Sequence, residues 1–252
     1  MLERRTVLKG VIGAPLALLL AGRCGVAAIE AAAPIKLRTP GGRVVPGALV
    51  KPDKMPAPIL LLIHDEKGLD ERVKAAAVGL ANQGYIVLAI DLFGGQLAAT
   101  AGEAQDRMRG VNADEAADTL AGWIGWAKVY PQGTRRVGLI GWGAFGGGWA
   151  LSAATLAPVE AVVLHGGRCD LPADRLAKLA GPVLGHFGNR DAEVGKAMVT
   201  AFTGAMKTAG KAATVYWYDT VPRLAESGVE PDPTGQQAEL RTQAFLEQAL
   251  KG

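Results

Sequence analysis

The chain has 252 residues, 49% apolar and 20% charged, enough to bury one α/β-sized core without calling for a second. Its formal charge is +3, and Arg4, Arg5, Lys9 and Arg23 outweigh Glu3 and Glu30 in the first 33 residues, so the rest is close to neutral. With no Lys/Arg block there, composition gives nucleic acid and acidic lipid no electrostatic handle.

The first segment in chain order reads as a leader. Arg4-Arg5-Thr6-Val7-Leu8-Lys9 is a paired-arginine start, an apolar stretch runs from Val11 to Gly22, and small residues fill Val26 to Ala33. That order predicts a twin-arginine export signal over 1–33 and a single domain over 34–252, in the periplasm or beyond. Twelve apolar residues rise about 18 Å as a helix, short of the ~30 Å hydrocarbon core, so a conventional spanning helix is not expected. An uncleaved leader would instead tether the domain to the membrane. Arg23 stands where a lipobox would need its cysteine, which argues against lipidation at Cys24. Cys169 is then alone in the domain, which excludes an intrachain disulfide there.

From Ile35 onward, short aliphatic runs alternate with helical patterns, the signature of parallel strands joined by crossover helices. Pro58–Ile63 and Tyr85–Ile90 are near-continuous apolar runs suited to strands buried on both faces. Between them Glu71–Gln83 predicts a helix ended by Gly84. Ala113–Lys128 predicts a second, with Trp123 and Trp126 on one core-facing side. There follow a strand over Arg136–Ile140, a glycine-dense turn, and a helix from about Gly147 to Ala157. Strands are expected at Val159–Leu164, Pro182–Phe187 and Ala213–Tyr218, with helices over Ala197–Ala209 and Gln236–Leu250. The pattern is a doubly wound α/β sheet, whose functional groups gather beyond the carboxyl ends of the strands.

Those strand ends carry a family resemblance. His64-Asp65-Glu66-Lys67-Gly68-Leu69 is similar to the H-E-x-x-G-L of dienelactone hydrolases, with Asp65 in place of glutamate. Gly84-Tyr85 through Asp91-Leu92-Phe93 resembles the G-Y-x-x-x-x-P-D-L-[FY] block except at Ile90. Gly185-His186-Phe187-Gly188-Asn189-Arg190-Asp191 resembles the segment bearing the acidic triad member, Asp191 here. Gly141-Trp142 and Phe145-Gly146-Gly147-Gly148-Trp149 resemble the two sides of the nucleophile turn. Over roughly 35–250 the resemblance implies an α/β-hydrolase fold and cleavage of an ester or lactone by nucleophile, histidine and acid, without a cofactor.

Two departures oppose that chemistry. A nucleophile elbow needs small residues two before and two after its apex, and the candidates here are Gly143 and Ala144, neither bearing a nucleophile. Gly143 leaves Phe145 at a small-residue position, and Ala144 leaves Trp142 there. The family's histidine segment matches Tyr218-Asp219-Thr220-Val221-Pro222-Arg223-Leu224, with Pro222 where histidine belongs. Ser152 falls inside the helix after the elbow and Ser227 in a loop, leaving Cys169 near His165 as the alternative nucleophile. His64, Asp65, Glu66, Phe145, His165 and Arg223 are expected around the former pocket. No spacing among His64, His165 and His186 specifies a metal site. The sequence thus predicts a binding or accessory domain for a small carbonyl-containing ligand or for a protein partner near the membrane. Its rival is an ester or lactone hydrolase using Cys169.

Replacing Arg4 and Arg5 together by lysine is expected to retain the protein in the cytoplasm, checked by cell fractionation. Undiminished export would remove the twin-arginine assignment.

Overall fold

The computed structural model describes residues 32–222 and 232–252. Residues 1–31, on which the expected leader falls, and Arg223 and Ser227 lie outside the described residues. The strands are β1 (Ala33–Arg38), β2 (Val44–Val50), β3 (Ala57–Ile63), β4 (Ile86–Ile90), β5 (Gly133–Trp142), β6 (Ala161–His165), β7 (Val183–Gly188) and β8 (Ala213–Tyr218). The helices are α1 (Glu71–Asn82), α2 (Ala101–Gly110), α3 (Ala113–Val129), α4 (Gly143–Ala154), the short α5 (Ala173–Leu176), α6 (Lys196–Thr208) and α7 (Pro233–Leu250).

The strands form one sheet in the order β1-β2-β4-β3-β5-β6-β7-β8. β2 is antiparallel to both β1 and β4, and every other pairing is parallel. This is the α/β-hydrolase architecture. β3 and β4 are buried along their whole length, as their unbroken aliphatic runs require. Leu120 and Trp123 of α3, Leu151 of α4 and Phe202 of α6 fill one face of the sheet. Val73 and Ala77 of α1 and Leu246 and Leu250 of α7 fill the other.

Local chemistry sets where the helices begin. The Asp70 carboxylate accepts from Arg72 N and Val73 N to start α1, and the Asn112 side chain does the same for Asp114 N and Glu115 N in α3. Three elements differ from the sequence expectation. The β1–β2 hairpin is not marked by a buried run, because β1 is solvent-facing and β2 contains Pro46 and Gly47. The polar α2 buries only Ala104 and so has no apolar stripe to read. The third difference matters most: α4 starts at Gly143, not near Gly147, so a glycine-rich stretch of low helix propensity is helical. Packing against the sheet overrides that propensity.

Trp123 is fully buried and meets Trp126 edge-on at 5.6 Å. Trp123→Ala is expected to cost about 3–5 kcal/mol of stability, the usual penalty for emptying a large aromatic core site. Urea unfolding measures it, and a loss below about 1 kcal/mol would mean that the site collapses to fill the space.

Candidate functional site

The sheet order reverses between β3 and β5, and a ligand crevice in an open α/β sheet lies outside the strand ends at such a point. At that place β5 runs directly into α4. Gly143 has φ +66°, the left-handed conformation of a nucleophile elbow, which makes it the apex and leaves Ala144 as the residue after it. The mismatch at Phe145 is resolved by shifting the tight contact one residue on. A Cβ on Gly141 would strike the Gly146 carbonyl oxygen, and one on Gly146 would stand 2.7 Å from the Ile63 carbonyl oxygen. The ring of Phe145 is free to turn aside, stacking on His64 at 5.6 Å and tilting on Phe93 at 5.1 Å. At the apex itself there is no side chain to attack a carbonyl.

A carboxylate stands beside that apex instead. Glu66 Oε2 lies 3.0 Å from where a Cβ on Gly143 would be, and Glu66 makes no hydrogen bond or ion pair among the described residues. The loop carrying it is fixed from both sides. Arg72 donates to both Asp65 oxygens (3.1 and 2.8 Å) and to Asp70 (2.7 Å), while Asp65 also accepts from Lys67 N at 2.9 Å. His64 is completely buried: Leu92 N donates to its Nε2 at 3.0 Å, so Nδ1 carries the proton and donates to the Asp65 carbonyl at 2.7 Å. Burial lowers its pKa, against the raising effects of that carbonyl and of Asp91. His64 and Asp65 are therefore supports of the loop and not pocket walls, a correction to their expected role. Only Glu66 of the three is exposed.

The acid position lies in the turn after β7. Asp191 Oδ1 accepts from Glu193 N (2.8 Å) and Val194 N (3.1 Å). Its other oxygen comes within 3.6 Å of a Cβ built on Gly166, and Val221 Cγ1 comes within 2.6 Å of the same point. Val221 and the Asp191 carboxylate therefore both border Gly166, with buried Pro222 next in the chain. Among the described residues no imidazole is hydrogen-bonded to Asp191.

Cys169 is 1% exposed and packs in the core on the α4 side. Burial, helped by neighbouring Asp170 and opposed by Arg168, pushes its thiol up to about 12. A thiol so held carries almost no thiolate at neutral pH. Cys169 is corrected from alternative nucleophile to core residue. Ser152 is half-buried within α4.

His165 is also corrected, because it belongs to a stack that sequence periodicity does not reveal. Trp142, His165, His186 and Tyr216 are register partners on β5 to β8. Their rings lie nearly parallel at centroid spacings of 5.8, 4.8 and 6.1 Å. Arg241 of α7 closes the row 3.9 Å over Tyr216 and donates to Tyr218 at 2.9 Å. His186 bridges Tyr218 (2.9 Å) and Thr242 (3.0 Å), whereas the buried Nδ1 of His165 has no hydrogen-bond partner among the described residues. The one sequence signal is position, since Trp142 and His165 close their strands and His186 and Tyr216 each stand two residues before the end of theirs.

The sequence profile described as "Dienelactone hydrolase family" matches residues 45–222. The carboxymethylenebutenolidase of Pseudomonas putida is 28% identical over 187 residues, spanning 69% of this chain and 77% of that protein. The solved dienelactone hydrolase of Anabaena variabilis superposes with a TM-score of 0.62 at 27% identity, covering 86% of this chain and 99% of that one. A dienelactone hydrolase-like promiscuous phosphotriesterase from metagenomic libraries gives 0.74 at 19% identity over 87% and 99%, a likeness of fold alone.

Burial lowers His165 to about 4, and burial first, then His165 and Arg241, lower His186 further. In the unfolded chain both titrate near 6.5, so below that pH the unfolded state binds more protons. Stability is expected to be complete above about pH 7 and to fall as pH drops from 6.5 towards 4, by up to about 1.4 kcal/mol per unit per histidine. Urea midpoints against pH check this. His165→Phe should flatten the slope, and an unchanged slope would count against the stack as its origin.

Proposed function

Because the chain belongs to the dienelactone hydrolase family, we propose that it is an exported member in which turnover has been lost and binding at the old pocket retained. The observation that carries this reading is the side-chain-free apex at Gly143, paired with an Asp191 carboxylate that accepts only from backbone N–H groups among the described residues. Carbonyl hydrolysis by this fold needs a nucleophile on the elbow and an imidazole to move its proton, oriented by the acid. The acid remains without the other two.

Electrostatics favour the same reading. The N-terminal N–H groups of α4 would polarise a bound carbonyl, as they would in any such elbow. A tetrahedral oxyanion forming there would meet the Glu66 carboxylate at close range, and like charges repel most where water is excluded. A neutral carbonyl group is tolerated and its anionic intermediate is not. Half-buried Phe145 and Ala144 supply apolar wall beside the apex, and such walls with a few fixed polar groups bind independently of chemistry. The domain accordingly holds a small neutral carbonyl compound, or the carbonyl-bearing surface of a protein partner. An attached leader would raise the effective concentration of such a partner at the membrane.

Dienelactone and short p-nitrophenyl esters are expected to be hydrolysed no faster by the parent protein than by a Glu66→Gln, Asp191→Asn double variant. Both should differ from buffer by no more than the modest acceleration that backbone donors give. A parent at least tenfold faster than the double variant, or covalent capture of Cys169 by an ester-like probe, would overturn the proposal.

A further inference from the structure

Among the described residues, β8 is the last strand of the sheet. Val183 N donates to the Ala212 carbonyl at 3.0 Å and Asn189 N to the Tyr218 carbonyl at 2.7 Å. With the in-register parallel pairing of β7 and β8, this alternation turns the backbone of Thr214 and Tyr216 towards β7. Ala213, Val215 and Trp217 turn their N–H and C=O groups outward. Such a row is a template for another strand, and proteins that leave it unpaired protect it with charges, proline or bulges. β1, at the opposite edge, carries Pro34, Lys36 and Arg38. The β8 sequence Ala-Thr-Val-Tyr-Trp-Tyr carries none of these and is rich in β-formers.

We propose that β8 pairs antiparallel with β8 of a second copy of this chain, about a two-fold axis through Val215, so that one sheet continues across two subunits. Three outward-facing residues centred on Val215 are self-complementary under that axis. Val215 meets the partner's Val215, Ala213 meets the partner's Trp217, and each rung exchanges both backbone hydrogen bonds. On the other face Thr214 stands opposite the partner's Tyr216. Large residues thus fall against small ones. At both ends Lys211 falls opposite the partner's Asp219, an opposite-charge pairing. Trp217 is already set for this contact: 37% exposed, it rests on Phe187 at 5.8 Å with Lys196 Nζ 5.8 Å over its ring. Cross-strand aromatic–aliphatic and opposite-charge pairs are the units that stabilise such a ribbon.

Sedimentation of the purified full chain at micromolar concentration tests this, with twice the 26.1 kDa chain mass expected. Lys211→Glu and Asp219→Lys each place like charges on both end rungs and should weaken the dimer about tenfold, while the double variant restores it. Val215→Pro removes an outward N–H without touching a β7 bond and should abolish the dimer. Circular dichroism and thermal unfolding confirm that each variant is folded. A folded parent that stays monomeric, or a dimer indifferent to all of these changes, overturns the proposal.

Discussion

The site is built on contact between backbone and backbone. α4 lies so close to the sheet that a single methyl group on Gly141 or Gly146 would collide with a carbonyl oxygen of the elbow or of the β3 end. That approach lets β5 pass straight into α4 and holds Gly143 at φ +66°, with no side chain among the described residues capping the first N–H groups of the helix. It needs glycine's missing side chain, not its flexibility. The elbow can therefore persist with no nucleophile on it, because the close contacts that shape it are made by Gly141 and Gly146 on either side of the apex.

The loop beside the elbow is rigid for a different reason. Arg72 ties Asp65 to Asp70, Asp70 caps α1, and neutral His64 joins the β3 end to Leu92 after β4. These buried and part-buried polar groups are mutually satisfied, the condition under which they fix one conformation. Glu66 is exposed beside the apex and, among the described residues, makes no hydrogen bond or ion pair. A chain built to stabilise a developing oxyanion would place a donor there, so the electrostatics and the absent nucleophile lead to the same functional conclusion.

Across the next strands the carboxyl ends are joined by rings. Trp142, His165, His186 and Tyr216 form a continuous stack whose imidazoles stay neutral because protonation would bury charge. The stack ends at β8, where Arg241 covers Tyr216 on one face while Trp217 stays exposed on the other. Among the described residues, no strand pairs with the outer edge of β8.

Much of this was legible in the sequence, because the signals are local. Continuous aliphatic runs mark β3 and β4, Gly84 marks the end of α1, and the blocks around His64, Asp91 and Asp191 mark the family and the strand ends. That residue 222 is proline is a matter of residue identity, which no fold can alter. Only the tertiary structure chose between Gly143 and Ala144 as the apex, since the small-residue rule fails in both registers and the deciding contacts come from β3, distant in the chain. It alone put Cys169 in the core, Val221 and Asp191 beside Gly166, and His165 inside a stack. Burial and pKa depend on which strands become neighbours, and the order β3-β5-β6-β7 is not written in any one segment. The sequence by itself determined which side chains exist at the strand ends. The packing of those ends determined which of them meet solvent, and so which can act.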